Sequence, residues 1–230
     1  MAAETEANRS APPASGPPPT PEQADTAFLD HLRQAGLVHE LTDSLRGILL
    51  ERLEPRDDED ARRLDLLALY YGTEDPEVRA RRMQKDRWVL HDDQDRVSAH
   101  DLVRRLTELA PELGEVSLER IGSDDGPLVL RAGEHLSAVT DVEEDDDDLD
   151  TGQIDLSEIE EQVSVTVRSL VRAVNVLLDR HGVRERFVPL RGDGRREAFL
   201  AAGVSEALSL CNGACLEEDS PERLMEFAAW

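Results

Sequence analysis

Two long apolar ridges constrain this chain more than any other feature. Phe28, Leu32, Leu37, Leu41, Leu45, Ile48, Leu49 and Leu53 recur every three to five positions, and so do Ile159, Val163, Val167, Leu170, Val171, Val174, Leu177 and Leu178. That spacing lines one face of an α-helix, and each face must be covered by something. The first ridge predicts one helix, or two jointed at Gly36, starting after Asp25 or Thr26 and stopped by Glu54-Pro55. The second predicts a helix from Ser157 to about Arg180. Ser157 with Glu160 matches a capping box, and Gly182 suits the residue just past the end.

Between the ridges the pattern alternates. A helix is expected over Ala61–Tyr71, capped by the acidic Asp57-Asp58-Glu59-Asp60, with further helix over Arg79–Trp88 and Ser98–Leu109. After Pro111 the character changes. Val116–Ile121, Leu128–Arg131 and Leu136–Val142 read as short strands, the first two separated by the turn-forming Gly122-Ser-Asp-Asp-Gly-Pro127. Arg186–Leu190 and Glu197–Ala201 bracket Gly192-Asp193-Gly194, a hairpin signal. Helices over Ser205–Cys211 and Pro221–Trp230 close the chain, the last capped by Ser220. The fold class is therefore α+β. A Pro-rich tail over 1–24 is expected to be disordered, with Pro18 and Pro21 completing a P-x-x-P. A helical region follows over 25–97. An α-β-β-β-α-β-β-α domain with a small antiparallel sheet spans 98–230 and carries an acidic loop at 143–150.

Charge excludes several functions. With 26 basic and 51 acidic side chains the net charge is −25, which repels phosphate backbones and anionic membrane surfaces, so neither nucleic acid nor membrane is an expected partner. Lys85 is the single lysine and follows no glycine-rich loop, which excludes Schiff-base, Walker-type and Ser-x-x-Lys chemistry. No apolar run approaches the roughly 18 residues of a membrane span, and the acidic N-terminus does not resemble a signal peptide, so a cytoplasmic location is expected. Cys211 and Cys215 stand as C-x-x-x-C without a second cysteine pair and read as buried apolar residues.

The candidate sites are few. The run Glu143, Glu144, Asp145, Asp146, Asp147, Asp148 is a docking loop for a basic partner, or simply a solvated, self-repelling stretch. As an EF-hand it fails by one residue: counted from Asp146, Gly152 falls at position 7 and Ser157 at position 12. His31, His39, His91, His100, His135 and His181 show no H-E-x-x-H spacing, and His181 suits a helix C-terminus. Arg191-Gly192-Asp193 spells an integrin-binding tripeptide, but a tight turn explains it. Its flanking arginines make phosphate binding at Gly192-Asp193-Gly194 conceivable, which the aspartate opposes. No catalytic residue, metal or cofactor is expected. An alternative reading, an enzyme or small-ligand protein, would assemble its site from His91, Asp92, Asp93 and Arg191.

The ridges then point to partner binding through helix faces: Val163, Val167, Leu170, Val174 and Leu177, with Phe227 and Trp230 as terminal anchors. The element order over 98–230, the low pI and the scarce aromatics resemble the type III secretion chaperone-like family, including its YbjN-type relatives. That resemblance implies an acidic, usually dimeric α+β domain that binds extended segments of client proteins without catalysis. Phe28–Pro55 looks like the helical segment preceding the LisH dimerisation motif of centrosomal scaffolds, although the LisH signature itself is missing. The expected function is that of an acidic adaptor or chaperone-like homo-oligomer. A helical oligomerisation scaffold built on residues 28–110 is a further alternative.

Overall fold

In the computed structural model the described residues are 19–38, 41–72, 76–81, 87–92, 97–122, 126–139, 166–213, 215–217 and 221–228. Helix α1 (Pro21–Gln34) begins earlier than its apolar period suggests. Thr20 and Gln23 cap each other's backbone, and Pro21 at the first position needs no N–H partner. Gly36, at φ +79°, ends the helix, and Thr42 caps α2 (Asp43–Arg52), so the first ridge is two helices. The side chain of Asp58 accepts from the N–H groups of Asp60 and Ala61 to start α3 (Glu59–Leu67), which runs into a π-turn over Ala68–Gly72. Helix α4 is described over Pro76–Arg81, and the part of the expected Arg79–Trp88 helix at 82–86 lies outside the described residues, short of Trp88. That residue opens strand β1 (Trp88–Asp92), not the end of a helix. Trp88 and Leu90 pack into one apolar cluster and Val89 into another, the two-residue alternation of a strand with both faces covered.

Helix α5 (Ala99–Leu109), capped by Ser98, leads through a 3₁₀ turn at Pro111–Leu113 to β2 (Val116–Arg120), β3 (Leu128–Ala132) and β4 (His135–Ala138). Helix α6 (Val167–Arg180) starts later than Ser157. Thr166 is extended (φ −76°, ψ 154°) and its side chain caps Ser169 N–H, so the helix does not run through it. The Ser157–Glu160 box lies outside the described residues. The remaining elements are β5 (Arg186–Pro189), β6 (Arg196–Ala202), α7 (Val204–Asn212) and α8 (Pro221–Ala228). The α+β class stands, with two three-stranded antiparallel sheets, β1-β6-β5 and β2-β3-β4, in place of the single expected one.

Strand β6 joins the halves of the chain. Ala198, Leu200 and Ala202 face a cluster built with α1, α2, α3 and α7; Phe199 and Ala201 face a second cluster built with α5 and α6. Strand β1 lies within 25–97, yet it pairs along its whole length with β6, Trp88 opposite Leu200 and Asp92 opposite Arg196. The helical region and the α+β region therefore share one sheet and both cores. Each fully buried leucine contributes roughly 1.5–3 kcal/mol, so neither cluster can be removed without exposing a face of β6.

The outer edge of β5 is closed by a side chain. Asn175, fully buried on α6, donates to Phe187 O (2.9 Å) and accepts from Phe187 N–H (2.8 Å). Pro189 has no N–H, and its carbonyl accepts from Glu217 N–H. Replacing Asn175 by Leu keeps the branched heavy-atom shape but strands both backbone groups of Phe187. A loss of about 2–3 kcal/mol in urea-unfolding free energy is expected, from two unsatisfied buried groups. A change below about 0.5 kcal/mol would contradict this assignment.

Candidate functional site

The ridge offered as a partner surface is an internal one. Leu170, Val174 and Leu177 are 2%, 0% and 0% exposed in the cluster beneath α5 and α6, and Val167 packs at its margin. Phe227, 2% exposed, stacks on Phe199 (6.3 Å, 11°) with the Arg172 guanidinium over its ring, which makes it a core residue and not a terminal anchor. The apolar length of α6 is consumed by contacts with β3, β4, β5, α5 and α8. Val163, Trp230 and the acidic residues Glu143, Glu144, Asp145, Asp146, Asp147 and Asp148 lie outside the described residues, as do His39 and Asp93.

Two groups of the enzyme alternative, Asp92 and Arg191, have structural work. Asp92 takes a bidentate bond from Arg195 (2.9 and 2.7 Å), and Arg191 donates to Leu216 O (3.1 Å), holding the 215–217 segment against β5. The Arg-Gly-Asp stretch is a turn closed on itself: Asp193 accepts from the N–H groups of Arg195 and Arg196 and from Arg196 Nε. A side chain at Gly192 would lie 2.7 Å from the Arg196 carbonyl. Burial pushes the Asp193 carboxyl up, but the hydrogen bonds from Arg196 and Arg195 outweigh it and hold the group below the ordinary aspartate range. Arg196 in turn reaches Asp65 (2.6 Å) and Ala61 O on α3, so this turn anchors the N-terminal helices to β6. His31 is likewise structural, its Nε2 2.5 Å from Ser209 O, its ring pressed on Gly213. His181 is the C-cap of α6, as its position suggests, and meets the His135 ring edge-on at 4.8 Å.

The feature that sequence reasoning missed is the outer edge of β1. Ala201 N–H donates to Arg87 O, so in this antiparallel ladder residues 87, 89 and 91 turn their backbone groups to β6. Trp88 and Leu90 turn theirs the other way, where no described residue pairs with them. Along this edge runs a groove of about 580 Å³. Trp88, Val89 and Leu90 form its floor; Tyr71 and Gly72 of the π-turn stand on one side, and Arg105, Glu108 and Leu109 of α5 on the other. Both ends of the strand are pinned. Arg87 pairs with Glu185 (2.9 Å) and Glu206 (3.3 Å), and Asp92 with Arg195. Tyr71 is held by its hydroxyl on Leu37 O (2.6 Å). Another groove runs along the β2 edge, lined by His100, Arg104, Thr107, Glu115 and Ser117 among its residues. A strand edge pinned at both ends, between an aromatic wall and a mixed one, offers alternate backbone donors and acceptors to an extended chain.

No protein-family model, curated protein or solved structure matches this chain. Among the described residues there is no cluster of three metal-ligating side chains, and no helix is long and apolar enough to cross a membrane.

Two expectations follow. Cys211 and Cys215 are buried free thiols, and burial pushes Cys215 up to about 11, so neither is expected to react with a thiol-specific disulfide reagent at pH 8 until urea unfolds the chain; rapid labelling of the native protein would contradict this. For Asp193→Asn the lost stability is full above the unfolded aspartate value of about 3.9, because the folded carboxyl titrates lower. The gap between wild type and variant should hold at pH 5–7 and shrink as pH falls through the depressed folded value. A gap that widens on acidification, followed by urea unfolding, would refute it.

Proposed function

We propose that this protein is a non-enzymatic, chaperone-like adaptor that takes an extended segment of another polypeptide as an added strand along β1. The observation that carries this reading is the outward-turned backbone of Trp88 and Leu90 along a groove that both residues line. Main-chain pairing supplies affinity in such a mode, and pockets for alternate side chains supply selectivity. The pinned ends of β1 support it, because a fixed edge loses little entropy on binding. The walls raised by the π-turn and α5 favour a slender strand over a second folded copy at this edge. The net charge of −25 favours a basic partner by speeding its encounter. This agrees with what the resemblance to client-binding secretion chaperones implies, with the binding surface moved from the α6 ridge to the sheet edge. Two free thiols are compatible with action in the reducing cytoplasm.

Leu90→Pro tests the reading. Its N–H points away from β6, so proline removes the donor offered to a partner while leaving the β1–β6 ladder intact. Leu90→Ala serves as the control, since it loses the same packing but keeps the N–H. Affinity capture at low and high salt is expected to recover a partner set with wild type and Leu90→Ala, and to lose it with Leu90→Pro. Equal capture by the two variants would contradict strand addition at this edge.

A further inference from the structure

A second groove, independent of the β1 edge, lies between the N-terminus of α1, the exposed side of α2 and the 53–57 loop, with a volume of about 810 Å³. Its apolar surface comes from Pro21, Leu50, Leu53 and Pro55. Deep in it sits a closed ion pair: buried Arg62 donates through Nε to Asp25 (3.1 Å) and through a second nitrogen to Arg56 O (2.7 Å). Four more carboxylates, Glu22, Glu51, Glu54 and Asp57, line the groove. None of the four forms an ion pair with a described residue, and Arg56 is engaged with Asp65 (2.7 Å). The groove thus presents an apolar strip under uncompensated negative charge.

Gly47 leaves open space on the wall of this groove. It sits inside α2, on the face that carries Leu50 and Glu51, and lines the groove. Gly47 has neither a left-handed backbone nor an atom within 4 Å of where a side chain would begin. Glycine is among the poorest helix formers, and nothing within the fold requires it here. A missing side chain in a helix facing open space admits a closely packed neighbour from outside.

We propose that this groove binds a short amphipathic helix bearing lysine or arginine beside an apolar ridge, with its backbone packed across Gly47 and its cations on Glu22, Glu51, Glu54 and Asp57. The apolar strip matches the ridge of such a helix, and the charge selects its flanks.

The probe is a fluorescently labelled 14-residue helical peptide of leucine and lysine, titrated into the full chain, with its leucine–glutamate counterpart as control. The lysine peptide should bind and the glutamate peptide should not. Gly47→Leu leaves the charge unchanged and raises helix propensity, so the melting temperature should hold or rise while affinity for the lysine peptide falls at least about tenfold. The double variant Glu51→Gln/Glu54→Gln should weaken binding and flatten its salt dependence. Unchanged affinity in Gly47→Leu would mean that the peptide merely sits on the overall negative charge, and would overturn the proposal. A wild-type dimer that Gly47→Leu converts to monomer would assign the groove to a second copy, and would overturn it equally.

Discussion

Strand β6 has no polar face along Ala198–Ala202, and the rest of the fold answers to that. Five consecutive buried residues require cover on both sides, because each apolar face left in water forfeits its burial free energy. One side is covered by α1, α2, α3 and α7, the other by α5 and α6. The helices at the start of the chain are therefore not an appendage. They are half of the covering that the sheet needs, fastened by the Asp65–Arg196–Asp193 chain of ion pairs.

A three-stranded sheet has two outer edges, and this one treats them differently. At β5, Asn175 satisfies the backbone of Phe187, proline removes a donor at 189, and Glu217 takes the last carbonyl. At β1 the described residues supply no such closure, although exposed edges are an aggregation liability that proteins ordinarily blunt. The π-turn and α5 flank this edge, and charged residues pin its ends. That asymmetry makes β1 a more specific candidate for binding than any helix face.

Much of the architecture was legible in the sequence for identifiable reasons. Alternating short apolar runs between turn residues marked β2, β3, β5 and β6, Gly182 ended α6 where expected, and of the two readings left open at Gly36 the jointed one holds. Strand β1 was not legible. Trp88-Val89-Leu90 is a continuous apolar run, and such a run reads equally as helix or buried strand until its partner is known. The α6 ridge was misjudged for a related reason: periodicity shows that a face is apolar, not what covers it. Val174 and Leu177 are buried in a cluster that draws residues from β1, β3, β5 and β6, whose combined cover no local pattern reveals. Asn175 was invisible beside them, since an amide inside an apolar stripe signals nothing until it meets an unpaired strand edge. The turn at Asp193 was legible, but its tie to α3, more than a hundred residues earlier in the chain, was not.

Residue-resolved amide hydrogen exchange on the full chain tests the central claim most directly, because the two sides of β1 alternate residue by residue. Val89 and His91, turned to β6, should exchange slowly, while Trp88 and Leu90 exchange at least about a hundredfold faster and slow down only when a partner strand is bound. If all four amides of the free protein are equally protected, the edge of β1 is already closed, and the account of this molecule as a strand acceptor is wrong.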